Sequence, residues 1–249
     1  MPHHGVVKES KTTPVRVVYD CSAKSSKSAK SLNDHLLSGP PVINDLVSLL
    51  MRFRTHKYAV IGDIEKAFLQ IKLDEVDRDF TRFIWLTDPK DPQSPLKIYR
   101  FCVVLFGATS SPFILGATIK KHLNEHNNEI SEDLNSNLYV DNLISGRESE
   151  HEIQKYKETA EEMMKAGGFN LREWVSNCAS FQSHDTSPCN VLGLIWDPAK
   201  DTLAFKKKEI PTTDVITKRS VFKQSSQLFD PLGLITPITI RAKLFIQKL

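Results

Sequence analysis

The sequence is poor in cysteine, with four in 249 residues, Cys21, Cys102, Cys178 and Cys189, set far apart and without a C-x-x-C pair. That spacing argues against a disulfide framework and a zinc site, and it fits free thiols in a reducing compartment. Long apolar runs are missing as well. No stretch reaches the roughly 18 residues of a membrane helix, and the opening "MPHHGVVKES" has neither the basic nor the apolar region of a signal peptide. A soluble, intracellular chain with no membrane partner is expected. An excess of one charge is also lacking: a formal net charge of +3 is too small by itself to argue for a nucleic-acid partner. Internal repeats are absent. What remains is an ordinary globular composition, 40% hydrophobic and 25% charged, which can bury a sizeable core in one large or two smaller domains. The chain opens without a cap or strand start and stops inside the amphipathic "TIRAKLFIQKL", so a piece of a longer protein is expected.

Local patterning gives the order of elements. "PVRVVYD" is β-branched and reads as a strand, and the Ser/Lys-rich "CSAKSSKSAKSLNDHLLSG" after it as a basic loop. Pro40-Pro41 is expected to open a helix with Ile43, Leu46, Val47, Leu50 and Phe53 at helical spacing. "KYAVIGDI" is a fully apolar strand that ends at Asp63. "TRFIWLT" and "LKIYRFCVVLF" form a hairpin across "DPKDPQSP". Ser111 as N-cap and Pro112 at the first helical position start a helix that runs to about His126. "NLYVDNLISG" reads as two short strands turning at Asp141-Asn142. A capping box from Ser149 to Glu152 opens a second helix, with Ile153, Tyr156, Ala160, Met163 and Met164 on one face and Gly167-Gly168 at its end. "FNLREWV", "NVLGLIW" and "DTLAFKK" follow as strands. Beyond Pro211 the pattern is helical, broken at Asp230-Pro231-Leu232-Gly233.

Leaving out the inserted hairpin, the order from Tyr58 is strand, helix, strand, strand, helix, strand, the split βαβ arrangement of an α+β fold. With right-handed crossovers, the first strand of "NLYVDNLISG" runs parallel to the strand ending in Asp63. The hairpin tip should then emerge at the same sheet edge as Asp63, so that Asp63 and Asp141 converge. Two carboxylates at the edge of a rigid sheet suit a pair of divalent cations, whose preferred ligands are hard oxygens. Two such ions can stabilise the attacking and the leaving oxygens of a phosphoryl displacement. The plainer alternative makes Asp63 a strand-end residue and Asp141-Asn142 a turn, since Asp and Asn tolerate left-handed backbone angles.

Several boxes resemble a known family. "DIEKAFLQI" is similar to the first polymerase motif of reverse transcriptases, "LFGATSSPF" to the second, and "YVDN" to the Tyr-x-Asp-Asp box. "VRVVYDCSAKS", "SLNDHLLSGPP", "NLREWVSN" and "FDPLGLITPITIRAK" resemble the polymerase region of BEL/Pao-type LTR retrotransposons. The resemblance implies a right-hand polymerase fold with a ferredoxin-like βαββαβ palm, fingers elements and the truncated start of a thumb or connection. Its divisions would be fingers over 1–57, palm over 58–74, a fingers/palm hairpin over 75–105, palm again over 106–205, and the thumb or connection start over 206–249.

The implied activity is RNA-directed DNA polymerisation, with two Mg²⁺ or Mn²⁺ ions, an RNA or DNA template with its primer, and dNTPs, in the cytoplasm or in virus-like particles. The catalytic set would be Asp63, Asp141 and Asn142, with the Ile64 carbonyl as a further metal oxygen. Phe68 falls on the family's aromatic sugar gate, which favours dNTPs. Its alternative is plain core packing. Arg16 falls on the arginine that contacts the triphosphate, a charge-assisted contact suited to a guanidinium, although a lone strand arginine is usually a solvated surface charge. Phe106, Gly107 and Tyr139 fall on nucleotide-facing positions, and Leu192 and Gly193 on the primer grip, which as bare sequence is a buried strand. Lys24, Lys27, Lys30, Lys206, Lys207, Lys208, Lys218, Arg219 and Lys223 could hold phosphates without reading sequence. The departure from the family is Asn142. An amide keeps the carbonyl oxygen and loses the charge, which opens a second reading: a decayed or truncated relic that folds and binds nucleic acid without catalysis, with no protease, RNase H or integrase segment legible beside it.

Overall fold

A computed structural model describes residues 1–7, 14–181, 187–206 and 217–248. The expected helix start after Pro211, with Lys207 and Lys208, lies outside them. In chain order the elements are β1 (His3–Val7), β2 (Val15–Tyr19), α1 (Leu46–Arg52), β3 (Tyr58–Ile64), β4 (Arg82–Leu86), β5 (Leu96–Arg100), α2 (Ser111–His126), α3 (Glu129–Asn137) and β6 (Leu138–Tyr139). There follow β7 (Asn142–Arg147), α4 (Glu150–Ala166), β8 (Leu171–Ser176), β9 (Cys189–Val191), β10 (Leu194–Asp197), β11 (Thr202–Phe205), α5 (Lys218–Ser225) and α6 (Thr236–Lys248). They fall into two compact units interleaved along the chain. The first holds 1–43, 64–135 and 161–170, the second 44–63, 136–160 and 171–249. Among the described residues no helix is long and apolar enough to cross a membrane.

In the first unit two antiparallel ribbons are joined by aromatic rings. β1 pairs with β2 from His3↔Tyr19 to Val7↔Val15, and β4 with β5 from Arg82↔Arg100 to Leu86↔Leu96. The period-two alternation of "RFIWL" puts Phe83 and Trp85 on one face. Tyr19 meets Phe83 at 5.0 Å and Phe101 at 4.8 Å between ring centroids, both edge to face. β1 was not expected, because "HHGVV" carries no alternation; its partner strand makes it one. β5 is shorter than expected, ending before "CVVLF". The N-cap of α2 is Ser110 rather than Ser111. Ser111 is buried, and its hydroxyl donates to the Leu105 carbonyl at 2.7 Å, a bond that holds "LFG" against the helix start. α3 is an addition to the expected elements. Its start is a reciprocal cap, with the Ser131 N–H donating to Asn128 Oδ1 at 2.9 Å and the Asn128 N–H to Ser131 Oγ at 3.0 Å.

The second unit carries the four-stranded sheet β6-β7-β3-β8 and the three-stranded sheet β11-β10-β9. One core serves both: Leu50, Phe53, Ala59, Ile144, Val191, Leu194 and Trp196 pack together. Trp196 is fully buried, edge to face with Phe53 at 4.9 Å. α1 starts later than Pro40-Pro41 suggests. Asp45 caps it by accepting from the Ser48 N–H at 2.7 Å, so Ile43 stays outside the helix. "NVLGLIW" is two strands instead of one. Leu192 and Gly193 take positive φ of 46° and 91° and form the two-residue loop between Val191 and Leu194, which face each other in register. The capping box of α4 is as expected: the Ser149 N–H donates to Glu152 at 3.1 Å and the Glu152 N–H to Ser149 Oγ at 3.3 Å. α5 and α6 flank the break at 230–233.

One ion pair ties the turn after α1 to the β10–β11 turn. Arg54 grips Asp201 with two bonds of 2.5 and 2.8 Å, and Trp196 Nε1 donates to the same carboxylate at 3.1 Å. Hydrogen bonding from Arg54 is the main reason the Asp201 carboxyl lies below its ordinary value. A carboxylate depressed by folding adds stability above the unfolded value, and that stability is lost as pH falls through the folded one. Asp201→Asn should therefore cost about 1 kcal/mol at pH 7, discounted for partial exposure. Denaturant melts at pH 7 and pH 3 should show the gap between variant and parent shrinking at the lower pH.

Candidate active site

Within the second unit, β7 is the strand that brings the hairpin to Asp63. It pairs antiparallel with both β3 and β6, so β6 and β3 run in the same direction with β7 between them. The last pair of the β3–β7 ladder is Asp63↔Asn142, and the pair that closes the hairpin is Tyr139↔Asn142. Asn142 is thus the cross-strand neighbour of Asp63 on one side and Tyr139 on the other. The turn itself is Val140-Asp141, one residue earlier than the sequence suggests, and Asn142 is the first residue of β7. Val140 has φ 58° while Asp141 is not among the positive-φ residues, the pattern of a loop whose first position ordinarily takes glycine. A β-branched residue there stores strain on the order of 1 to 3 kcal/mol, held by the strand pairs on either side.

Each carboxylate at this edge has an internal nitrogen partner. Asn142 Nδ2 donates to Asp141 Oδ1 at 2.9 Å. Arg172 Nε stands 3.8 Å from Asp63 Oδ2, and Arg172 Nη2 stands 3.7 Å from Glu173 Oε1. Arg172 lies on β8, the sheet neighbour of β3. Along β8, Leu171 and Trp174 are both buried while Arg172 and Glu173 between them are not, and Glu173 has φ 52°. Strict alternation would put Arg172 on the face of Trp174; the left-handed residue breaks it, as in a β-bulge, and re-aims both charged side chains. Gly62 takes part in the fit, because a Cβ there would stand 3.2 Å from Trp174 Cε3. A cavity of about 510 Å³ opens beside these strands, lined by Asp63, Asn142, Glu173, Trp174, Cys189 and Leu192 among others.

The remaining expected site residues are distributed as follows. Leu192 and Gly193 sit at the β9–β10 loop of the second unit, where a Cβ on Gly193 would come within 2.7 Å of the Phe229 ring. Ile64 is buried at the end of β3. In the first unit Phe68 is buried and meets Phe106 edge to face at 4.8 Å, with Phe106 half exposed. Gly107 has φ 94°, and a Cβ there would meet the Tyr19 carbonyl at 3.2 Å. Asn33 fixes this loop, donating to the Gly107 carbonyl at 3.0 Å and accepting from the Thr109 N–H at 2.9 Å. Arg16 is exposed on β2 opposite Val6. Of the basic residues in the Ser/Lys-rich loop, Lys24 is taken up by Asp34 at 2.8 Å.

Arg172 and Glu173 were missed in the sequence. Their signal was available in "NLREWV", where two adjacent charges interrupt an otherwise apolar strand beside a tryptophan. Among the described residues no three His, Cys, Asp or Glu side chains gather closely enough to hold a metal ion alone. Asp63, Asp141 and the Asn142 carbonyl are nevertheless hard oxygen donors. Mg²⁺, which keeps waters and substrate phosphates as its other ligands, matches such an incomplete set.

Comparison with known families bears on the same residues. Residues 7–195 match the family described as reverse transcriptase (RNA-dependent DNA polymerase). Residues 217–249 match the Pao retrotransposon-like RNaseH-like domain, a stretch in which the sequence alone showed no RNase H segment. Comparison with curated proteins finds no match. The first match takes in more than half the chain, including β3, the Val140-Asp141 hairpin and β8, and the second adds the Pao character: the chain belongs to the reverse transcriptase family, in its BEL/Pao-type retrotransposon form.

Proposed function

We propose that this chain extends a primer 3′-OH with dNTPs on an RNA or DNA template, with Asp63 and Asp141 as the carboxylates that hold two Mg²⁺ or Mn²⁺ ions. The observation that carries the reading is the register Asp63↔Asn142, which sets the hairpin tip bearing Asp141 at the end of the strand bearing Asp63. Bound there, the ions would supply charge stabilisation for the attacking and leaving oxygens. Asp63 and Asp141 fix the position of that charge, the Asn142 carbonyl and the Ile64 carbonyl are further oxygens, and the strained Val140 turn keeps Asp141 at the tip. The strand order β6-β7-β3-β8 supports the ferredoxin-like palm, with the fingers, palm and thumb or connection divided along the chain as the family resemblance implies. Tyr139, Phe106, Gly107, Phe68 and Arg16 are assigned to the dNTP, and Leu192 and Gly193 to the primer strand.

Such a protein works on cytoplasmic template-primer. Primer extension on poly(rA)/oligo(dT) with Mg²⁺ and with Mn²⁺ tests the reading. Slow, divalent-dependent extension is expected; a protein that neither binds nor extends the template-primer contradicts it. A second reading, a relic that binds nucleic acid without catalysis, is favoured by one observation, the amide of Asn142 bonded to Asp141 where the family has a carboxylate. Tight template-primer binding without extension, unchanged in Asn142→Asp, would select it.

A further inference from the structure

We propose that Arg172 is the internal counter-cation of Asp63, a positioning residue that a divalent ion must displace and that therefore sets how tightly the site takes its cation. The inference rests on the metal-holding role proposed for Asp63. Its ground is the break in alternation along β8. With regular alternation Arg172 would share the face of Trp174, yet Leu171 and Trp174 are buried and Arg172 is not, and the left-handed Glu173 at φ 52° marks where the alternation fails. The result is a guanidinium 3.8 Å from one carboxylate oxygen of Asp63 and 3.7 Å from Glu173.

At that range the pair is an electrostatic contact rather than a short hydrogen bond. The Arg172 side chain as a whole is 41% exposed and that of Asp63 32%, while Arg172 Nε, the atom nearest Asp63, is buried and makes no hydrogen bond, and Glu173 offers the guanidinium a second carboxylate. A guanidinium stays charged at any working pH, so a dication approaching Asp63 meets its repulsion until it moves. Asp141 is different. Its partner is the neutral Asn142 amide, which keeps its bond to Oδ1 without opposing a cation. The cost of occupying this edge is thus concentrated at Asp63.

Mn²⁺ titration followed by the electron paramagnetic resonance of the free ion tests this without reference to polymerisation. At low ionic strength Arg172→Gln should bind Mn²⁺ about three- to tenfold tighter than the parent, the range expected for removing one partly exposed charge near a dication. Arg172→Lys, which keeps the charge, should stay within about twofold of the parent, and the gain of Arg172→Gln should shrink as salt is raised. In an Asp63→Ala background the Arg172→Gln gain should disappear, the non-additivity that marks a direct pair. Circular dichroism confirms that each variant folds. Equal or weaker Mn²⁺ binding by Arg172→Gln overturns the role of Arg172 and leaves the metal reading of Asp63 standing. Failure of both parent and Arg172→Gln to bind Mn²⁺ overturns the inference together with that reading.

Discussion

Asp63→Ala is expected to reduce primer extension by about a thousandfold or more while template-primer binding persists. Asp63 ends the β3–β7 ladder opposite Asn142, so its removal deletes one of the only two full carboxylates on the hairpin and its facing strand. One charge acting on another at about 4 Å, with an effective dielectric near 20, has a gross interaction on the order of 4 kcal/mol, and each 1.36 kcal/mol of transition-state stabilisation is about tenfold in rate. The fold should tolerate the change. Asp63 is partly exposed and its ion pair with Arg172 spans 3.8 Å, so that pair contributes about 1 kcal/mol or less. Single-turnover extension alongside a filter-binding measurement separates the outcomes. Loss of binding in step with extension would instead make Asp63 a structural residue.

Asn142→Asp is expected to act in the opposite direction, raising extension from tens-fold up to about a thousandfold, the same Coulomb range realised by half or in full. The register fixes why. Position 142 faces Asp63 on one side and Tyr139 on the other, so a carboxylate there completes a group of three around the hairpin end. It also ends the bond from Asn142 Nδ2 to Asp141 Oδ1. Without cations, the new charge lies directly across from Asp63 and beside Asp141, and like charges in facing positions are destabilising. The variant should therefore melt below the parent in EDTA and regain the difference with Mn²⁺. A variant whose melting temperature ignores Mn²⁺ would show that the three positions do not act on a common ion.

That the hairpin tip comes to the end of β3 was legible from the sequence, because it depends on topology. Strand, helix, strand, strand, helix, strand leaves few ways to arrange a sheet, and the apolar runs and the Ser149/Glu152 capping box fixed the order. The hairpin turn was misplaced by one residue for a physical reason. Asp141-Asn142 looks like a turn because both residues tolerate left-handed angles, whereas the chain puts the positive φ on Val140, a choice imposed by the strand pairs on either side. The same kind of override explains "VLGLIW". A continuous apolar run reads as one strand, but Leu192 and Gly193 reverse the chain so that Trp196 can be buried against Phe53. β1 and the pairing of Arg172 with Asp63 depend on contacts between distant segments, and no local pattern encodes them. In "NLREWV" the alternation rule taken alone places Arg172 on the wrong face, and only the backbone angle at Glu173 corrects it.

The most direct test of the central claim, that the tip of the β6–β7 hairpin and the end of β3 hold a divalent ion together, is cleavage of the backbone by iron. Fe²⁺ substituted for Mg²⁺ in the presence of ascorbate and peroxide generates radicals at the bound ion, and mass spectrometry of the fragments locates the cuts. Two clusters are expected, one near Asp63 and one near Asp141, both suppressed by excess Mg²⁺ and both lost in Asp63→Ala. Cuts confined to other segments, or cuts at these two that persist in Asp63→Ala, would contradict it.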